Sequence, residues 1–180
     1  MNKFLKWHQQ EHSTKNEILA FTVGALLFPT SIPLCLIYVL PRVDRSLGIG
    51  SFYGGVWNIF LGILMILLGG TFAIWTIVNQ IRLASGTPFP MLPTRKLLVS
   101  GPYLYCRNPM TLGTVAAYAG IAVWVGSWSA LFAVAVFAAL LIAYLKLIEE
   151  KELQMRFGEE YLEYKKSTPF ILPIKIGRAK

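Results

Sequence analysis

Four stretches of this chain, roughly 18–40, 52–78, 110–126 and 129–146, are apolar and almost free of charged side chains. Crossing a hydrocarbon core of about 30 Å takes about 20 apolar residues in a helix. No other pattern constrains the fold as strongly, because only structures that satisfy their own backbone hydrogen bonds survive in lipid. Over the 180 residues, 55% are hydrophobic and 14% charged, which is too apolar for an ordinary soluble domain. The expected fold is all-α and integral to a membrane, with four transmembrane helices and a cytoplasmic C-terminal amphipathic helix.

The net charge of +8 is explained by its placement. With the N-terminus inside, Lys3, Lys6, Lys15, Arg82, Arg95, Lys96, Arg107 and every basic residue from Lys146 onward fall on the inner side. Those make fifteen of the 17 lysines and arginines, and only Arg42 and Arg45 lie outside. This is the positive-inside bias, and it puts both termini in the cytoplasm; in a bacterium the membrane would be the inner one. The charge therefore reports topology and some attraction to anionic lipid, and nucleic-acid binding is not expected.

Pro29 and Pro33 remove helix donors from the first stretch and should kink it. If they split it into a re-entrant hairpin there would be five membrane elements, with residues 79–109 outside against the charge count. The glycines of the second stretch (Gly54, Gly55, Gly62, Gly69, Gly70) permit close approach by a neighbouring helix. The third and fourth stretches, joined by little more than Gly126, Ser127 and Trp128, form a tight hairpin. Ala116, Ala117, Gly120 and Ala122 suit its contact face.

No acidic, basic or histidine side chain stands in the middle of any stretch, which weighs against a pump or ion-coupled transporter. Cys35 and Cys106 fall in a span and at the inner interface, so no disulfide is expected. His8 and His12 have no third ligand and read as surface residues, so no metal is expected. Nothing in the first apolar run marks a cleaved leader, and neither end carries a lipidation box. Any chemistry belongs at the cytoplasmic interface, where residues 79–109 make a proline-rich connection and residues 147–173 begin as an amphipathic helix with Leu153, Phe157, Tyr161 and Tyr164 at helical spacing.

Two short segments could carry it. In SGPYLYCRNPMTLG (100–113), Asn108 is a good N-cap and Pro109 a good first helical residue. That is an ordinary helix start with Arg107 snorkelling beside it. The same residues also make an anion site, because the N–H groups at the helix start point to the interface beside a guanidinium. Glu149 and Glu150 come one turn past the last span. They are either a solvated pair with helical partners, such as Glu149 with Lys146, or one of them faces inward at the level of Arg107. Tyr103, Tyr105, Tyr161 and Tyr164 are by default interfacial aromatics.

The run GTPFPMLPTRKLLVSGPYLYCRNPMTLG followed by EEKELQMRFGEEYLEYKKSTPFILP resembles the isoprenylcysteine carboxyl methyltransferase family and its bacterial and archaeal relatives, with phospholipid N-methyltransferases as more distant kin. The matching positions are Gly101, Pro102, Tyr103, Arg107, Asn108, Pro109, Met110 and Gly113, then Glu149, Glu150, Leu153, Phe157, Gly158, Tyr161, Tyr164, Pro169 and Pro173. Asn108 stands where many members have histidine, and Thr111 where tyrosine is frequent.

The resemblance spans about residues 86–173 and makes that half a methyltransferase core. The N-terminal spans, 1–78, would form the substrate side of one membrane domain, 1–180. It implies S-adenosylmethionine as donor, bound by Tyr103, Arg107, Asn108, Pro109, Met110, Gly113, Glu149, Glu150, Phe157 and Tyr161. Arg107 and Glu150 are the candidate catalytic pair. The implied acceptor is lipidic and enters from the bilayer, between the second span and the terminal hairpin. A carboxylate acceptor of the isoprenylcysteine type is favoured; a phospholipid amine or a small thiol are the alternatives. A non-catalytic membrane scaffold is the reading from another class.

Overall fold

A computed structural model describes residues 24, 27–52, 54–84 and 97–173, and no strand occurs among them. Helix α1 (27–46) is composite: a π turn Leu27–Ser31, a short α turn Ile32–Leu34, a second π turn Cys35–Val39 and an α-helical end Leu40–Ser46. The irregularity follows from its prolines. In a π register the Phe28 carbonyl faces the nitrogen of Pro33, which has no hydrogen, and the hydroxyl of Tyr118 donates to that carbonyl instead. From Leu27 on, the chain runs through Pro29 and Pro33 without reversing. The expected stretch from 18 to 26 lies, apart from Gly24, outside the described residues.

Helix α1 continues six residues past its expected end at 40. Arg42 and Arg45 donate back to the carbonyls of Tyr38 and Pro41 at 2.7 and 3.2 Å. Asp44 turns inward and is buried. Apolarity marks where lipid ends, not where hydrogen bonding does.

Helix α2, Val56–Ala84, likewise overruns the expected 52–78 through Asn79, Gln80, Ile81 and Arg82, so the connection begins later than expected. Residues 85–96, including Arg95 and Lys96, lie outside the described residues, as do His8 and His12. A 3₁₀ turn, Gly101–Leu104, leads to α3, Pro109–Val125, which Gly126 ends in the left-handed conformation usual after a helix. Ser127 caps α4, Trp128–Tyr144, its hydroxyl accepting from the Ala130 amide at 3.1 Å. A π turn, Leu145–Glu149, carries α4 directly into α5, Glu150–Ser167. Of these helices, α2 and the run Trp128–Ser167 are long and apolar enough to cross a membrane, and α3 is a shorter apolar helix.

The core lies where Leu36 of α1 meets Tyr118, Ile121 and Ala122 of α3 and Ala130 and Val134 of α4. On the other side of α3, α2 packs antiparallel through glycine. A Cβ at Gly69 would stand 2.6 Å from the Gly113 carbonyl, and one at Gly62 would stand 2.8 Å from that of Gly120. Such contact lets backbones approach closely, where van der Waals packing replaces the absent hydrophobic force. Gly62 and Gly69 thus do what was expected of them, whereas Gly70 and Gly55 face open space. Ala116, Ala117 and Gly120 were expected within the hairpin. Ala116, Gly120 and the backbone of Ala117 meet α2 at the seam, whereas Ala122 packs with Ala130 and Val134 of α4.

Candidate functional site

At the end where α3 starts and α4 finishes, three segments converge on Arg107. Its guanidinium forms an ion pair with Glu150, and donates to the Tyr161 hydroxyl at 3.1 Å and the Thr168 carbonyl at 3.2 Å. Its backbone amide donates to the Pro169 carbonyl at 2.9 Å. The side chains of Arg107 and Glu150 are 10% and 14% exposed, so neither charge can be left alone cheaply. Glu150 also holds the Lys165 ammonium at 2.6 Å. The local reason for this convergence is the tail. After α5 ends at Ser167, residues 168–170 run extended past Arg107 and present successive carbonyls to it and to Asn108.

Asn108 occupies the N-cap position of α3, but its side chain does not cap. It donates to the Phe170 carbonyl at 2.9 Å, leaving the first-turn amides of α3 without a side-chain partner. The Phe170 ring lies 5.4 Å from the Arg107 guanidinium and 5.1 Å from the Lys146 ammonium. Both are cation–π distances.

Glu149 differs from its neighbour. It has no ion pair or hydrogen bond among the described residues, and the alternative of a pair with Lys146 does not form. Burial raises its pKa to about 7, helped by the negative charges of Glu152 and Glu150. Glu149 also lies close enough to Tyr103 that its charge, after burial, pushes the phenol of Tyr103 up. Glu152 is buried and paired with Arg156 at 3.4 Å.

The structure thus brings together Tyr103, Arg107, Asn108, Glu149, Glu150 and Tyr161. It sets two other candidates apart: Gly113 is buried in the seam with α2, where a Cβ would meet the Ala73 amide at 2.6 Å, and Phe157 packs under the Arg156 guanidinium. Pro109 is buried and Met110 half-buried at the start of α3. Sequence reasoning missed Glu152, Thr168 and Phe170, and took Tyr164 as an interfacial aromatic. Tyr164 is buried, and its hydroxyl donates to the Tyr103 carbonyl at 2.7 Å. The repeat of Tyr161 and Tyr164 on one helical face was the available signal for it.

A second polar cluster lies at the opposite end. Ser127 Oγ donates to Asp44 Oδ2 at 2.5 Å, and the Ser129 amide and hydroxyl both donate to Oδ1. Both carboxylate oxygens are used, and the cluster fastens α1 to the start of α4. No group of His, Cys, Asp and Glu among the described residues is arranged to hold a metal ion.

The site around Arg107 offers a paired cation and anion, an unpaired carboxylate with a near-neutral pKa, and aromatic faces. That set suits a zwitterionic, cationic ligand. On the α2 side of α3, the glycine seam brings the two backbones into contact at Gly62, Gly69, Gly113 and Gly120. In comparison with known proteins, the family model described as phospholipid methyltransferase matches residues 57–160. No curated protein and no solved structure matches the chain.

Proposed function

Since this chain belongs to the phospholipid methyltransferase family, we propose that it moves a methyl group from S-adenosylmethionine to the amine of a phospholipid headgroup, at the cytoplasmic face of a membrane. The single observation that carries the choice of an amine is Glu149. It is an unpaired carboxylate with a pKa raised to about 7, beside Glu150 and Glu152. Glu150 and Glu152 are each ion-paired, so Glu149 is the carboxylate left to take a proton, which an amine acceptor must shed and a carboxylate acceptor need not.

The residues fit the donor by charge. Arg107 and Glu150 are complementary to the carboxylate and ammonium of its amino-acid end, and Lys165 keeps Glu150 partnered when Arg107 turns to a ligand. Tyr103 and Phe170 supply aromatic faces that favour a sulfonium cation, while the buried Tyr161 holds Arg107 in place. When bound, S-adenosylmethionine supplies an activated methyl group. The protein's work is then alignment and exclusion of water. An amine sheds a proton for each methyl group it gains, and Glu149 takes that proton, its pKa being near the working pH.

A carboxylate acceptor of the isoprenylcysteine type is the second reading, favoured by the GPY, RNPM and Glu-Glu blocks. Detergent-solubilised protein given radiolabelled donor and either phosphatidylethanolamine vesicles or a prenylcysteine distinguishes them. The expected product is a base-stable methylamine lipid, with Glu149→Gln slowing its formation by about a hundredfold or more. A base-labile methyl ester on the prenylcysteine instead would establish the second reading, and transfer to neither would overturn both.

A further inference from the structure

Lys146 is the first charged residue after the apolar run of α4, and in the topology expected from the sequence its ammonium would stand at the level of the bilayer's phosphates. The sequence offers it two natural helical partners, Glu149 and Glu150, three and four residues on. It pairs with neither. The cause is the π turn Leu145–Glu149, which rotates α5 relative to a continuous α-helix and aims Glu150 at Arg107 and Lys165. Lys146 is left exposed, with no carboxylate partner among the described residues, its ammonium held 5.1 Å from the Phe170 ring. The same ring lies 5.4 Å from the Arg107 guanidinium. One aromatic side chain therefore fixes an uncompensated cation beside the compensated one of the site.

We propose that Lys146, positioned by Phe170, binds the phosphate of the acceptor phospholipid and so holds its amine against Glu149. This rests on the phospholipid reading above and deepens it. Phosphate and amine are separated by only two carbons in an ethanolamine headgroup, so a cation that reads the phosphate must sit next to the place of methyl transfer. Lys146 is joined to the site through the Phe170 ring, which its ammonium shares with the Arg107 guanidinium, and it stands three residues before Glu149. An ammonium serves as a point charge for a phosphate held by the bilayer, where no fixed fork is needed.

The test measures binding and turnover on the full chain in detergent. Soluble short-chain phosphatidylethanolamine, its phosphate-free amino analogue and inorganic phosphate are each titrated into wild type, Lys146→Ala, Lys146→Arg and Phe170→Leu. Lys146→Ala is expected to weaken phosphatidylethanolamine binding, and raise its KM, about tenfold. Donor affinity and binding of the phosphate-free analogue should not change. Lys146→Arg should restore most of the loss, Phe170→Leu should reproduce part of it, and inorganic phosphate should compete only at far higher concentration.

Equal phosphatidylethanolamine affinity in wild type and Lys146→Ala overturns the proposal whatever the turnover. So does an equal loss for the phosphate-free analogue, or wild type that binds neither. Inorganic phosphate that binds as tightly as the lipid would mark a free-anion site and overturn it too. Lys146-dependent binding without methyl transfer would sustain the proposal and remove the reading of the activity.

Discussion

Glu149 and Glu150 are neighbours in the chain and opposites in chemistry. Their pairing was legible as a motif, and so was the meeting of Arg107 with an acidic residue of that pair. The residues alone left open which carboxylate faces Arg107, because that depends on a π turn that no periodicity announces; the family resemblance pointed to Glu150, which is the one Arg107 pairs with. Glu150 is spent on Arg107 and Lys165, while Glu149 keeps its proton longer than an unfolded-state carboxyl does. For a group whose folded pKa is raised, the stabilising contribution is complete below the unfolded value of 4.5 and is lost as pH rises through about 7. The melting temperature in detergent should therefore fall between pH 5 and pH 8. Glu149→Gln should flatten that fall and leave the variant more stable than wild type at pH 8, by about 1–3 kcal/mol. The rate of amine methylation should move the other way in wild type, rising through pH 7 as the carboxylate becomes able to accept a proton. A melting temperature independent of pH would remove the basis for that assignment.

At the level of elements, the long apolar runs announced the helices but misjudged their ends. Helices α1 and α2 both continue past the apolar residues, because polar side chains such as Arg42 and Asp44 can bond within the fold at the interface. The glycine seam was half legible. Composition showed that α2 could be approached closely, but not that α3 rather than a turn neighbour would use Gly62 and Gly69. Adjacent Gly69 and Gly70 now give a controlled comparison. Gly69→Ala would place a methyl 2.6 Å from backbone atoms of α3, and should destabilise by about 1–3 kcal/mol through overpacking. Gly70→Ala meets nothing within 4 Å and should be neutral or stabilise by up to about 1 kcal/mol. Unfolding in mixed detergent reads both, and equal effects would refute the seam.

Taken whole, the molecule keeps two polar clusters at its two ends with an apolar body between them. Only one was anticipated. The Asp44 cluster escaped notice because its serines lie 83 and 85 residues away, and because a lone aspartate beyond an apolar stretch looks like surface. Its hydrogen bonds are complete and internal, so it fastens helices, whereas the Arg107 end keeps a carboxylate, Glu149, and an ammonium, Lys146, that form no ion pair among the described residues. The two ends share no residue, and substitutions there should add. Asp44→Asn and Glu150→Gln are each expected to cost about 1–3 kcal/mol, and the double variant their sum to within about 0.5 kcal/mol. Only Glu150→Gln should weaken donor binding. Non-additive unfolding, or a donor defect in Asp44→Asn, would show that the ends communicate.

Glu150 and Lys165 touch at 2.6 Å although fifteen residues separate them. On a straight α-helix that separation is about 22 Å. The difference is made at Gly158, where φ is +53° and ψ −126° inside α5. With no Cβ, glycine reaches that conformation at little cost, and an L side chain would be strained there. The site is therefore flanked by one helix doubled back on itself, and its second arm is hung from a single joint. Gly158→Ala would strain the one joint that brings Lys165 and Tyr161 back to Glu150 and Arg107, and is expected to loosen that contact without altering any residue that makes it.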